Sequence, residues 1–167
     1  MIVQDFYIPK YDWIVKVYYA VTTYWTSDIL CALHRIGCRG EDFKQAYRNL
    51  SSGVLNTGLT YSNFEDRETV MVIALTSSPG EFQNSWDHEK GHLCRHISQV
   101  FNIDPYGEEA QYLSGEFQLD KCAKILDCGK FLDSMISVIS RNWENPTFHP
   151  SIDQLRLFKE KIGKAAE

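Results

Sequence analysis

The chain has 167 residues and a net charge of −5, with 44% hydrophobic and 13% aromatic residues. This composition can form a hydrophobic core, which excludes an intrinsically disordered protein, and the acidic balance argues against nucleic-acid binding through a basic face. No apolar run reaches the roughly 18 residues of a membrane span, no signal peptide is recognisable, and the five cysteines lack C-x-x-C spacing. We therefore expect a cytoplasmic protein with free thiols and no membrane partner.

The first half of the chain predicts three strands and two helices. Hydrophobic residues at every second position predict a strand over residues 11–24, because period two places them on one face of a sheet. Helical spacing predicts two helices, over about 27–36 and 41–50, each followed by a glycine. Two further strands are predicted over 58–63 and 69–76, and the polar loop between them indicates a hairpin.

The helix with the most sequence signals is predicted from about Pro79 to Phe101. Ser78 and Glu81 have the spacing of a capping box, and proline is favourable at the first helical position. Its apolar residues repeat at helical spacing and predict one buried stripe. The stripe consists of Phe82, Trp86, Leu93, Ile97 and Val100.

Three more helices are predicted towards the C-terminus, over about 108–126, over 130–143 and from 151 onwards. The element order is a strand, two helices, a hairpin and then four helices. This order predicts an α+β fold in which a small mixed or antiparallel sheet packs on helices. We expect one domain over residues 1–145, with residues 146–167 as a helical extension of it.

The predicted helix 79–101 carries the segment His88-Glu89-Lys90-Gly91-His92, which has the pattern H-E-x-x-H. Residues four apart lie one turn apart on the same helix face, so His88 and His92 can bind one Zn²⁺ at about 2.0–2.1 Å. Glu89 lies next to them and can take a proton from a zinc-activated water. The pattern therefore predicts a zinc site with Glu89 as its general base.

A hydrolytic zinc site needs a third protein ligand and an open position for water. His96 follows His92 by four residues, but it lies about 12 Å along the helix axis from His88, so one ion cannot reach all three. Carboxylates at the start of the next helix, Glu108 and Glu109, are better candidates, because a tight turn can fold that helix back. Acidic residues in a first turn also complement the helix dipole, and one of the two can have that role alone.

This combination resembles the zincin metallopeptidases of the gluzincin type, in which H-E-x-x-H on one helix is joined by a Glu from the next. It is most similar to short, largely uncharacterised bacterial and phage proteins with a minimal form of that core, over roughly residues 54–120. The resemblance implies a zinc-dependent peptidase with Glu89 as general base. The zinc ligands that it implies are His88, His92 and Glu108, with Glu109 in reserve.

The sequence also departs from that family. Lys90 and Asp87 place charges in and beside a motif that usually has uncharged residues there. Tyr112 replaces the acid that larger gluzincins have four residues after the third ligand, so it is a further candidate for a position at or beside the metal. The group that orients one ligand histidine through a hydrogen bond is either Glu116 or a backbone carbonyl. The candidate hydrogen-bond donors to the transition state are Tyr106, Tyr112 and His149.

We expect a peptide or protein substrate for such a site. The strand over 69–76 is predicted to be an edge strand that aligns an extended peptide by β-augmentation. The alternative function is a non-catalytic protein-interaction module that retains a zincin fold. The charges at Asp87 and Lys90 and the small size of the chain favour this alternative.

Overall fold

The structure is a computed structural model, which describes residues 1–77 and 79–116. A four-stranded mixed sheet lies between two pairs of helices, which confirms the predicted α+β class. The strands are β1 (Ile2–Ile8), β2 (Trp13–Val21), β3 (Gly58–Asn63) and β4 (Glu68–Ala74). The helices are α1 (Thr26–Arg35), α2 (Gly40–Ser52), α3 (Pro79–Phe101) and α4 (Glu108–Glu116).

The strand order in the sheet is β1-β2-β4-β3. β1 and β2 pair antiparallel, β2 and β4 parallel, and β4 and β3 antiparallel. The prediction that the strand over 69–76 is an edge strand is therefore wrong, because β4 is paired on both sides. Its residues from Val70 to Ile73 are all buried, and a strand that is apolar on both faces suits the centre of a sheet covered on both faces. The edge beside α3 belongs to β3.

β1 is a strand that the sequence analysis did not predict. Its burial alternates from residue to residue, with Ile2, Gln4, Phe6 and Ile8 facing inwards. The inward Gln4 interrupts the apolar pattern, and its side-chain oxygen accepts a hydrogen bond of 2.8 Å from the buried hydroxyl of Tyr19. A buried amide with such a partner is stable in a core, but it conceals the period-two signal in the sequence.

Two hydrophobic cores lie on the two faces of the sheet. One core joins the β1, β2 and β4 residues of one face to α3 and α4, and the other joins the opposite face to α1 and α2. Four predicted stripe residues of α3, namely Phe82, Trp86, Leu93 and Ile97, are buried in the first core, and Val100 is partly buried there. This packing fixes α3 against the sheet and leaves His88 exposed, His92 half-buried and Glu89 buried.

Several predictions lie outside the described residues. They are the capping role of Ser78, the helices over 130–143 and from 151 onwards, the helix beyond Glu116, the boundary at 145/146 and the roles of His149 and the Glu116 side chain. α4 begins at Glu108 as predicted. Within the part of the chain that the structure describes, no helix combines the length and the apolar character needed to cross a membrane.

Candidate functional site

His88 and His92 face each other across one turn of α3. Their Nε2 atoms are 3.1 Å apart and their ring centroids 4.8 Å apart. Two imidazoles at about 2.0–2.1 Å from one tetrahedral zinc ion would have their nitrogens about 3.3 Å apart. The pair therefore has the separation that two ligands of a single ion need.

The Glu89 side chain lies on the side of α3 that faces β3, and it is only 3% exposed. The hydroxyl of Thr60 donates a hydrogen bond of 2.7 Å to its Oε2 atom. Burial raises the pKa of the Glu89 carboxyl, while the Thr60 hydrogen bond and the neighbouring His92 and His88 lower it in part. A carboxylate with a raised pKa is a stronger base, which suits a group that must accept a proton.

Gly58, the first residue of β3, makes room for the Glu89 carboxylate. A Cβ atom at residue 58 would lie 2.5 Å from Glu89 Oε1 and from its Cγ atom. Only a residue without a side chain allows the strand to approach the carboxylate so closely. The sequence analysis missed both Gly58 and Thr60, and the one available signal was a glycine at the start of a predicted strand.

The outer edge of β3 runs alongside this carboxylate. The amide of Ala74 donates a hydrogen bond of 2.9 Å to the carbonyl of Thr57. Because hydrogen-bonded and non-hydrogen-bonded pairs alternate along an antiparallel ladder, the N–H and C=O groups of Gly58, Thr60 and Ser62 point away from β4. None of the described strands pairs with this edge.

A cleft of about 580 Å³ opens beside the pair and the carboxylate. His88 and Glu89 line it from α3, Gly58 from β3, and Asn49 and Val54 from the end of α2 and the loop that follows. A space of this size is large enough for several residues of an extended chain. His88, the Glu89 carboxylate and the start of β3 at Gly58 therefore meet at one cleft.

The two acidic residues at the start of α4 do not join the histidine pair. Glu109 Oε1 lies 2.8 Å from Lys10 Nζ and accepts a hydrogen bond of 3.1 Å from the Tyr11 hydroxyl. The hydrogen bonds from Lys10 and Tyr11 hold the pKa of the Glu109 carboxyl below its usual range. Glu108 is exposed.

The geometry of α3 explains this separation. The Phe101 ring packs against Tyr11, with ring centroids 4.9 Å apart, so it marks the flank of α3 on which Glu109 lies. Phe101 follows His92 by nine residues, which at about 100° per residue places the two on opposite sides of the helix. Among residues 1–77 and 79–116, no three or more His, Cys, Asp and Glu side chains are grouped so that they could hold a metal ion.

His96 is the third histidine along this face of α3. Its Nδ1 atom lies 2.8 Å from Ser62 Oγ, and its ring contacts Phe64 at a centroid distance of 5.3 Å. Ser62 Oγ lies 2.7 Å from Thr69 Oγ1, which accepts a hydrogen bond of 2.8 Å from Trp13 Nε1. Burial lowers the pKa of His96. This polar chain ties α3 to three strands, and the sequence analysis did not foresee it.

The remaining candidates lie at the surface. Tyr106 and Tyr112, the possible transition-state donors within the described residues, are 91% and 73% exposed. The two charges that depart from the family pattern pair with each other, since Lys90 Nζ lies 3.1 Å from Asp87 Oδ1. Because Lys90 and Asp87 pair with each other, neither residue places an unpaired charge beside the two imidazoles.

Comparison with known proteins gives little further information. Residues 108–164 match the model of a family described as Domain of unknown function (DUF6965). No curated protein and no solved structure matches the chain. The matched segment begins at the first residue of α4 and does not include the H-E-x-x-H segment of α3.

Proposed function

We propose that the protein is a zinc-dependent metallopeptidase that hydrolyses peptide bonds in the cytoplasm. One observation carries the proposal: the Nε2 atoms of His88 and His92 are 3.1 Å apart, next to a buried carboxylate at an open cleft. Two convergent imidazoles supply two of the three protein ligands that a hydrolytic zinc site needs, and the adjacent carboxylate supplies the general base. The resemblance to gluzincins supports zinc as the metal.

His88 and His92 would hold the ion through their Nε2 atoms, and Glu108 stays the proposed third ligand. Because the start of α4 lies on the other flank of α3, this role requires α4 to shift. Zinc, when bound, supplies a Lewis acid that polarises a carbonyl and lowers the pKa of a water to about 7. Glu89 accepts the proton of the attacking water at its carboxylate and passes it to the leaving amine.

The edge of β3 would align the substrate. A peptide in extended conformation can pair with the outward backbone groups of Gly58, Thr60 and Ser62, which adds a strand to the sheet. Thr60 also holds Glu89 through a hydrogen bond of 2.7 Å, so the same strand positions the peptide and the base. The proposed substrate is therefore an unfolded or extended stretch of a polypeptide.

The decisive experiment compares the protein with its Glu89→Gln variant on a mixed peptide library in the presence of zinc. The amide is isosteric with the carboxylate, so the variant should keep its zinc content and melting temperature. Removing a general base should lower the rate about 10²–10⁴-fold. Glu41→Gln, an exposed change on α2, is the matched control and should leave hydrolysis unchanged. Equal hydrolysis by the protein and the Glu89→Gln variant would exclude Glu89 as the base.

A non-catalytic interaction module is the second candidate function. The observation in its favour is that the described residues do not assemble three metal ligands. The peptide-library comparison with Glu89→Gln separates the two, because an interaction module hydrolyses nothing even if it binds structural zinc. The zinc content of the purified full chain, with His92→Ala for comparison, tests metal binding itself. A zinc site should hold one equivalent of zinc and raise the melting temperature, and His92→Ala should lose both properties. Absence of stoichiometric zinc and of a zinc-dependent rise in melting temperature would exclude the peptidase and any module with structural zinc.

A further inference from the structure

A smaller cavity, which we call the apolar pocket, adjoins the cleft and lies on the face of the sheet that packs against α1 and α2. Its volume is about 130 Å³. Its apolar wall is formed mainly by Leu50, Leu59, Val72, Ala74 and Leu75. Four residues line both the apolar pocket and the cleft, namely Asn49, Val54, Thr57 and Gly58. The two spaces therefore share a rim, and Gly58, which adjoins Glu89, is part of it.

The loop between α2 and β3 forms the shared rim and is held in place by hydrogen bonds. The side chain of Asn56, whose φ is 59°, accepts a hydrogen bond of 2.8 Å from the amide of Ser77 and donates one of 2.9 Å to its hydroxyl. The Thr57 hydroxyl donates a hydrogen bond of 3.0 Å to the carbonyl of Val54. These hydrogen bonds hold the loop that borders both the cleft and the apolar pocket.

The alternation of side chains along a strand connects the apolar pocket to the proposed substrate. On β3, Thr60 faces Glu89, whereas its neighbour Leu59 packs in the core on the opposite face and lines the apolar pocket. A peptide paired with the edge of β3 must alternate in the same way. When one of its residues lies beside Glu89, the next side chain points towards the face with the apolar pocket.

We propose that the apolar pocket is a specificity pocket that takes one branched aliphatic side chain of a peptide bound along β3. This inference rests on the proposed peptidase function. An apolar cavity of about 150 Å³ holds a benzene molecule, so about 130 Å³ suits the side chain of leucine, isoleucine or valine. A charged side chain is excluded because the apolar wall would leave its charge unpaired.

Ligand binding tests the pocket without any need for hydrolysis. The ¹⁵N-labelled full chain is titrated with the N-acetyl amides of leucine, alanine and arginine, and amide shifts are followed by NMR. The leucine derivative should bind at least about tenfold more tightly than the alanine derivative and shift the amides of Leu59 and Ala74. The arginine derivative should leave these amides unshifted. Equal shifts with all three derivatives, or no shifts with any, would overturn the proposal.

Two variants change the pocket in opposite directions. Ala74→Leu should fill it and abolish the preference for leucine, while Leu50→Ala should enlarge it and admit phenylalanine. Val3→Leu, an exposed change on the far strand β1, is the matched control and should keep the preference. If Ala74→Leu does not fold, the enlarged variant alone decides, and an unchanged preference in it contradicts the pocket.

Sequencing the products of a peptide library then tests the link to hydrolysis. Cleavage sites should be enriched at least about tenfold in aliphatic residues at one fixed position relative to the cut bond, and Ala74→Leu should remove this enrichment. If peptides are cut without aliphatic enrichment, the specificity pocket is contradicted, whereas the proposed peptidase function is supported. If no peptide is cut, the proposed peptidase function is contradicted. The NMR titration then still decides whether the pocket binds aliphatic side chains.

Discussion

At the scale of single residues, the close approach of β3 to α3 determines where the Glu89 carboxylate lies. Glu89 is buried, hydrogen bonded to Thr60 and in contact with the backbone at Gly58. The strand limits this carboxylate on one side, and the hydrogen bond from Thr60 orients it. The contact at Gly58 therefore has consequences for stability as well as for chemistry.

Gly58→Ala should destabilise the protein. The added Cβ would lie 2.5 Å from Glu89 Oε1, so the strand or the carboxylate must shift, and overpacking of this kind costs about 1–3 kcal/mol. Gly91→Ala is the matched control, because its Cβ meets nothing within 4 Å. Inside a helix this change should stabilise by about 0.5–1 kcal/mol. Urea unfolding measures both free energies, and a Gly58→Ala variant as stable as the parent would contradict the close contact.

Ser62→Ala tests the polar chain that runs from Trp13 to His96. The serine hydroxyl lies 2.8 Å from His96 Nδ1 and 2.7 Å from Thr69 Oγ1, so its loss removes the hydrogen bond to His96 and leaves Thr69 with Trp13 alone. We expect a loss of about 1–3 kcal/mol in the free energy of unfolding. Ser27→Ala, at an exposed position of α1, should change it by less than about 0.5 kcal/mol. If thermal or urea unfolding gave similar free energies for both variants, the hydrogen bonds of Ser62 would contribute nothing to stability.

At the scale of elements, patterns within a segment predicted the type and bounds of helices and strands, but not which elements lie next to each other. The bounds of β3 and the helix over 79–101 follow from period and capping signals within the segments themselves. The prediction that β4 lies at an edge was wrong because its second neighbour, β2, is far from it in the chain, and no pattern within either segment reveals their pairing. Likewise, the site of Glu109 depends on Lys10 and Tyr11, which no spacing within α3 or α4 reveals.

Zinc titration of two glutamine variants tests the third ligand at this scale. If α4 shifts so that Glu108 binds the metal, Glu108→Gln should weaken zinc binding at least about tenfold. Loss of a residue that only hydrogen bonds to a metal ligand already has an effect of this size. Glu109→Gln weakens only the contacts with Lys10 and Tyr11 and should leave zinc binding at the parent value or slightly stronger. Equal affinity of the parent and Glu108→Gln would remove Glu108 from the ligand set.

At the scale of the whole molecule, the packing of the candidate site on α3 and β3 depends on strands from a distant part of the chain. The segment 54–120, which carries the resemblance to gluzincins, contains β3, β4 and α3 but neither β1 nor β2. β4 pairs with β2 along most of its length, and Trp13, Val15 and Val17 share a core with Met71 and Leu93. The recognisable segment is therefore only part of a folding unit.

A fragment that begins at residue 54 should not fold by itself. Without β2, the inner edge of β4 is unpaired and the apolar residues Met71, Ile73 and Leu93 lose their partners in the core. Far-ultraviolet circular dichroism and amide dispersion in NMR spectra measure the outcome for the fragment and the full chain. A fragment with native dispersion and a cooperative melting transition would show that the first two strands are dispensable.

The outer edge of β3, with which none of the described strands pairs, presents backbone groups that any extended polypeptide could match. Backbone amides and carbonyls are the same whatever the sequence, so the proposed pairing with Gly58, Thr60 and Ser62 would supply affinity without discrimination. A substrate bound in this way must have unpaired backbone groups of its own, as loops, newly made chains and the edge strands of other sheets do. Helices and the inner strands of folded domains would be excluded, because their backbone groups are already paired.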